Sequence, residues 1–322
     1  MKLKFLKYLC DPLNLEDLTL ESQFINGDDV ISGTLKSSNN NYSIINGIPR
    51  FVKNDSYSSN FGYQWNRWQR IQFDDENINK PMHQYTSSMF KKITKFSKKQ
   101  LDGKIVLDLG CGSGRFTDVV ASMGAVVISL DQSSAIDSAK LNFCKKKYDN
   151  ILFIQGDALN LPIKKNSMDY CFSIGVLHHT PSPYKGVKEV HRVLKKKGIF
   201  AVRVYNKKSF YTYFMVKFWR YIFLKMRPQL KFYPPLFYSY FFGTITFVLG
   251  KIWIPLTYPL RIIFPTVWSL DYRWLILDTF DAVATSYQSG HTPLEVRSWF
   301  IKAGFFKITK TNKKSNDFTG IK

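Results

Sequence analysis

Ile105-Val106-Leu107-Asp108-Leu109-Gly110-Cys111-Gly112-Ser113-Gly114-Arg115-Phe116 is the stretch whose reading decides the fold. Its first five residues read as a buried strand, its glycines as a tight turn, and Arg115 onward as the start of a helix. Glycine lets a backbone turn sharply and lets a ligand sit against bare main chain. The helix that follows opens with N–H groups that have no intrahelical partner. Alone, such a turn suits a nicotinamide site or a purely structural corner equally well.

Working outward, apolar strands alternate with helix-period segments over 104–109, 114–123, 125–130, 133–147, 151–155, 169–174, 184–195 and 198–205. Strands separated by helices imply βαβ units and a parallel sheet, hence an α/β fold. Ligands bind such sheets at the carboxyl ends of the strands. Asp131 ends the second strand, about twenty residues past the glycine turn, where a carboxylate can accept both hydroxyls of a ribose. Gly156-Asp157-Ala158 ends the third strand. Asp169 opens the fourth, which runs into Ser173-Ile174-Gly175-Val176-Leu177-His178-His179.

These segments, VLDLGCGSGRF, SLDQS, QGDALNLPIKKNSMDY, FSIGVLHHT and KEVHRVLKKKGIF, resemble in order and spacing the motifs of the type 11 methyltransferases of class I. The resemblance covers roughly 101–205 and resumes at 278–310. A Rossmann dehydrogenase resembles only the first two motifs. The resemblance implies a Rossmann-like methyltransferase sheet with helices on both faces, and S-adenosyl-L-methionine as cofactor. By it, Asp108, Gly110, Cys111, Gly112 and Gly114 shape the methionine pocket. Asp131, with Gln132 beside it, holds the ribose; Asp157 and Ala158 meet the adenine; Ser173 and Gly175 close over the cofactor.

Methyl transfer to oxygen, nitrogen or carbon needs an aligned acceptor and often a base, and histidine titrates closest to neutral pH. His179 is the first candidate, with His178 beside it and His291 next, because 281–292 is expected to return over the active-site edge. Tyr205, Asp281 and Tyr287 are candidate substrate-binding residues. His191 reads as structural.

Residues 1–53 form a small β-rich module. Leu9-Cys10-Asp11-Pro12, Gly33-Thr34-Leu35 and the run from Tyr42 to Phe51 are similar to a zinc-ribbon-like module that precedes many bacterial methyltransferases. Structural zinc wants four ligands, and only Cys10 remains here, so the module is expected to hold together by packing and to bind no metal. A helical connector is expected over 54–100, containing Phe61-Gly62-Tyr63-Gln64-Trp65-Asn66-Arg67-Trp68. The methyltransferase domain is expected over 101–207 and 276–322, where Thr292-Pro293-Leu294-Glu295 reads as a helix start with Thr292 as cap.

Two bulk properties are unusual: aromatics at 16% and a formal charge of +22. The four cysteines are scattered, which fits a reducing cytosol and no disulfide framework. The opening residues lack the apolar run of a secretory signal. Residues 208–275 form an aromatic, basic helical insertion. Within 204–270 stand Lys207, Lys208, Lys217, Arg220, Lys225, Arg227, Lys231, Lys251 and Arg261, with no acid. Residues 209–227 read as an amphipathic helix with its cations on one side, and 232–250 as an uncharged run long enough to raise the question of a membrane span. The favoured reading is a lid that docks on an anionic membrane surface from the cytoplasmic side; a packed substrate lid and a bilayer hairpin are the alternatives. The acceptor is expected to be a small or lipid-linked molecule. Nucleic acid is disfavoured, because no RNA-binding fold or arginine-rich tail is present, which leaves an RNA methyltransferase second and a cofactor-less membrane adaptor third. No feature of the sequence speaks to oligomeric state.

Overall fold

The computed structural model describes residues 1–52, 58–144, 146 and 148–322. The junction expected between 53 and 54, and positions 145 and 147 of the helix expected over 133–147, lie outside the described residues. The chain opens with strands β1 (Thr19–Asn26), β2 (Asp29–Lys36), β3 (Asn41–Ile45) and β4 (Ile48–Pro49), then helices α1 (Ser59–Arg67), α2 (Tyr85–Thr94) and α3 (Lys98–Leu101). The central run is β5 (Ile105–Leu109), α4 (Arg115–Ser122), β6 (Val126–Asp131), α5 (Ala135–Phe143), β7 (Ile151–Gln155), β8 (Met168–Ile174), α6 (Pro183–Val193) and β9 (Leu194–Val204). Helices α7 (Phe214–Leu230), α8 (Tyr233–Ile252), α9 (Tyr258–Ile263) and α10 (Tyr272–Ala284) follow. The chain closes with α11 (Pro293–Ala303), β10 (Phe306–Asn312) and β11 (Asn316–Ile321).

The main sheet has seven strands in the order β10-β11-β9-β8-β5-β6-β7. β7, β6, β5, β8 and β9 pair in parallel, and β11 enters antiparallel beside β9. This is the expected α/β architecture, a mostly parallel sheet flanked by helices. Successive residues of a strand point to opposite faces. Val106 accordingly packs with Phe90, Phe116 and Phe172 on one face, whereas Leu107 and Leu109 pack with Phe5, Val187 and Val190 on the other. Burial on both faces is why these strands read as unbroken apolar runs.

The N-terminal strands make a separate antiparallel sheet in the order β1-β2-β3-β4. Its core is not its own: Phe5, Leu9, Val30, Leu35 and Ile44 share one apolar cluster with Leu130, Leu152 and Ile163. The Phe51 amide donates to the Gln155 carbonyl at 2.8 Å, and Arg50 pairs with Asp137 at 2.5 Å, fastening this sheet beside β7. Asp11 organises the turn region, accepting from the Leu13 amide, the Ser37 and Tyr42 hydroxyls and the Asn40 amide over 2.5–2.9 Å. Among the described residues no group of three or more His, Cys, Asp or Glu could hold a metal.

Helix α11 begins as expected: the Thr292 side chain accepts the Glu295 amide while Glu295 reaches back to Thr292. In the insertion one alternative falls and one expectation is corrected. Among the described residues no helix is long and apolar enough to cross a membrane, which removes the bilayer hairpin. Pro234 and Pro235 sit in the first turn of α8, where a missing N–H costs nothing, so they start that helix rather than interrupt it. The cations of α7 are also not on one side. Lys217 and Lys225 are exposed, but Arg220 is buried and donates to the Ala282 carbonyl at 2.7 Å and to Gln288 Oε1 at 2.9 Å. Arg227 donates to the Ala284 carbonyl and the Ser286 hydroxyl, each at 2.5 Å. Guanidinium forks satisfy buried carbonyls that lysine would reach with one point charge, so these two arginines clamp the end of α10 to the insertion.

Candidate active site

The carboxyl ends of β5, β6, β7 and β8 open into a cavity of about 380 Å³. Small-molecule sites run from about 300 to 1,000 Å³. One wall is built from the strand ends: Gly110, Cys111, Gly112, Asp131, Gln132 and Ala158, with Gly175 and Val176 from the turn after β8. The glycine turn exists because of its backbone. Gly110 and Gly112 have φ of +84° and +55°, and the amides of Gly110 and Cys111 both donate to the Leu130 carbonyl at the end of β6. Asp131 ties this turn to its own strand, accepting the Gly112 amide at 2.9 Å and the Ser133 amide and hydroxyl at 2.9 and 2.7 Å.

The opposite wall comes from helices. Trp274, Leu277, Asp278 and Asp281 recur at helical spacing along one face of α10, and all four line the cavity. Gln64 and Trp65 of α1, Gln72, Tyr85, Arg115, Tyr205 and Tyr211 complete it. Burial, reinforced by Asp281, pushes the Asp278 carboxyl up to about 7, against a smaller opposing pull from Arg115. Burial likewise raises Asp281 to about 6, although Arg220 and Gln64 favour its charged form. Carboxyls moved toward neutrality inside a cleft are candidate acid–base groups.

Of the residues expected from sequence, the structure brings Gly110, Cys111, Gly112, Asp131, Gln132, Ala158, Gly175, His179, Tyr205 and Asp281 to this cavity. The others lie elsewhere. Asp108 is buried beneath the turn, bonded by Thr117 Oγ at 2.7 Å, and burial raises its carboxyl to about 7. Gly114 faces Phe143 rather than the cavity. Asp157 turns its carboxylate into its own loop, accepting the Leu159 amide at 2.9 Å and the Asn160 amide at 3.2 Å, while Gly156 and Ala158 do the lining. Ser173 is buried, its hydroxyl donating to the Leu109 carbonyl at 3.1 Å.

His178 is fully buried between the rings of His179 and Tyr205, and burial holds it well below the ordinary histidine range. His179 faces the cavity, with burial lowering it to about 3. The segment after α10 does return over this edge, as the Ser289 and His291 amides donate to the His178 and Tyr205 carbonyls, both at 2.9 Å. It brings backbone rather than side chains: the His291 ring bonds Ser289 Oγ at 2.8 Å and packs on Trp299, and the Tyr287 side chain is exposed. Sequence reading missed Gln64, Gln72, Tyr85, Arg115, Tyr211, Trp274 and Asp278. The 274/277/278/281 spacing could have exposed the α10 face.

An uncharacterized methyltransferase of Synechocystis is 40% identical over 103 residues, which is 31% of this chain and 46% of the relative. The demethylmenaquinone methyltransferase of Lactococcus lactis is 41% identical over 103 residues, 30% of this chain and 40% of that one. The chain thus spans less than half the length of these curated relatives. Among solved structures, a SAM-dependent methyltransferase from Aquifex aeolicus aligns with a TM-score of 0.43 and 13% identity, over 76% of this chain and 94% of that one. The chain matches the methyltransferase domain family Methyltransf_11 over residues 107–202, the segment that supplies the glycine turn and the strand-end wall of the cavity.

Proposed function

We propose that the protein is an S-adenosylmethionine-dependent methyltransferase acting on a small or lipid-linked acceptor. One observation carries this reading: a single cavity joins the glycine turn and Asp131 to the polar face of α10. The residues fit the cofactor. A Cβ at Gly112 would lie 2.9 Å from Trp65 Nε1, so only glycine leaves the turn open beneath the indole. Asp131 is held in a fixed orientation where a ribose diol would meet it. Gln132 Oε1 is buried with no hydrogen-bond partner among the described residues, beside the Ala158 end where adenine would sit. Arg115 offers a guanidinium at the start of α4 for the methionine carboxylate.

When bound, the cofactor supplies a methyl group already activated on a sulfonium. The protein's part is alignment and exclusion of water. Phe61, Trp65, Tyr205 and Trp274 enclose the space, and the α10 carboxylates face it. His179 presents Nε2 as a neutral acceptor, because its Nδ1 is committed to a backbone carbonyl. Calorimetry should show stoichiometric binding of S-adenosylmethionine, and tritiated methyl from it should enter a cell-extract fraction. A protein that takes up a dinucleotide instead, or no nucleoside at all, sinks this reading and favours a non-enzymatic adaptor.

We also infer that the insertion docks on an anionic membrane surface. Phe237, Phe241, Val248 and Ile252 recur on one exposed face of α8, with Phe214, Phe218 and Tyr221 exposed on α7. Lys217, Lys225, Lys231 and Lys251 are exposed around them, and no acid intervenes in 204–270. Exposed apolar patches of this extent mark interaction surfaces, and aromatics ringed by lysine suit lipid headgroups. The same interleaving of large apolar residues argues against RNA as the partner. Such docking would place the protein at the inner face of the membrane.

A further inference from the structure

We propose that Asp278 and Asp281 bind the acceptor through an amine and take its proton, making the protein an N-methylating enzyme; this rests on the methyl-transfer reading above. The two carboxylates stand three residues apart on α10, and each is met by a glutamine from the other side of the cavity. Gln72 Nε2 donates to Asp278 Oδ1 at 3.4 Å, and Gln64 stands beside Asp281, where its side chain favours the charged carboxylate. Gln64 and Gln72 are 1% and 4% exposed, yet Oε1 of each has no partner among the described residues. Buried polar atoms are nearly always paired. The two carboxylates and two unpaired amide oxygens therefore call for donors from a bound ligand, while Trp274 Nε1 on the same wall, also without a partner among the described residues, leaves one donor for an acceptor elsewhere on that ligand.

An ammonium group brings three N–H donors and no acceptor. A hydroxyl brings one donor, fewer than these four acceptor groups call for. Phe61, Trp65, Tyr85, Tyr205, Tyr211 and Trp274 line the same space, and aromatic faces attract ammonium ions. Of the two cations that face the pair, one has its donors spent on other partners and the other lies toward the glycine turn. Arg220 spends its donors on Ala282 and Gln288, and Arg115 stacks on Phe116 at 4.5 Å beside the glycine turn, at the cofactor's end.

Deprotonation is within the reach of these carboxyls. Burial raises them to about 7 and about 6, only a few units below an alkylammonium near about 10. An aliphatic hydroxyl is far more weakly acidic. One carboxylate takes the proton from the ammonium. The freed nitrogen lone pair forms the N–CH₃ bond as the methyl–sulfur bond breaks, its electron pair staying on sulfur as a neutral thioether. The carboxylic acid then releases its proton to solvent. The groups facing the pair are Arg115 from α4, Arg220 from α7, Gln64 from α1, and Tyr205 and Tyr211 from the chain after β9.

The test uses full-length protein, tritiated S-adenosylmethionine and cell extract, with and without prior acylation of the extract's amines by an N-hydroxysuccinimide acetate. Label incorporation is expected to disappear after acylation. Asp278→Asn and Asp281→Asn are each expected to lower incorporation by about 100-fold or more. Both should keep cofactor affinity by calorimetry within about twofold, and a wild-type melting temperature would show that they fold. Label that survives acylation overturns the amine, and variants that transfer methyl at the wild-type rate overturn the role of the pair. Loss of cofactor binding in the wild type is a different outcome and overturns the methyltransferase reading itself.

Discussion

The Nδ1 of His179 lies 2.8 Å from the carbonyl oxygen of Tyr287, joining the turn after β8 to the segment that follows α10. A carbonyl can only accept, so Nδ1 carries the proton and Nε2 the lone pair. Burial keeps this ring neutral down to about pH 3.

His179 is therefore expected to be a poor base and a good fixed acceptor. The acid limb of kcat/KM should fall through pH 6–7, where protonating the α10 carboxyls removes the base. That limb should persist in His179→Gln and vanish when Asp278 and Asp281 are both changed to Asn. A limb lost on changing His179 would return the proton transfer to the histidine.

Asp131→Ala is expected to weaken cofactor binding by about 1–3 kcal/mol, through lost charge-assisted hydrogen bonds. The same variant frees the Gly112 amide, so part of the loss will appear as a lower melting temperature without ligand. Calorimetry separates the two contributions, and unchanged affinity would show that the cofactor lies elsewhere.

Gly110→Ala should destabilise the fold by about 1–3 kcal/mol. Its φ is +84°, and a new Cβ would lie 2.9 Å from that of Val176. The cost is read from the urea midpoint, and a neutral result would mean that the turn can rearrange.

Asp108 gives a pH signature. Its carboxyl is held near 7 by burial, against an ordinary 3.8. The folded state thus holds a proton that the unfolded state has lost, and this contribution is full below 3.8 and gone above 7. Between pH 5 and 8 the wild type should lose about 2–3 kcal/mol relative to Asp108→Asn, measured as the difference in unfolding free energy. A pH-independent difference would contradict the raised carboxyl.

Membrane docking predicts co-sedimentation with vesicles containing anionic phospholipid, weakened by salt. Replacing Phe237 and Phe241 with serine should cut the bound fraction severalfold. These side chains are 69% and 50% exposed, so the melting temperature should barely move. Equal binding to purely zwitterionic vesicles would leave the lysines without a role.

Much of the sheet was legible because burial on both faces writes itself as apolar runs: the strand expected over 151–155 coincides with β7. The turn was legible because glycine is required where φ is positive. The fate of individual polar side chains was not. Asp157 and Asp131 both follow strands at the same edge, yet one turns into its own loop and the other faces the cavity. Arg220 and Lys217 share a helix and a charge, but which points inward depends on the carbonyls at the end of α10. The acceptor wall stayed hidden because Gln72 and Asp278 are 206 residues apart, and no local pattern records such a meeting.

The core shared by the N-terminal sheet and β7 has a consequence for synthesis. Leu9 bridges Ile163, and the Cys10 amide finds its carbonyl on Pro162. While the ribosome has yet to deliver that partner, Phe5 and Leu9 have only Val30, Leu35 and Ile44 to cover them, and part of their surface stays in water. Contacts of such long sequence separation form late, so these residues are natural targets for a chaperone during translation, and a paused ribosome upstream of position 163 should leave them open to protease.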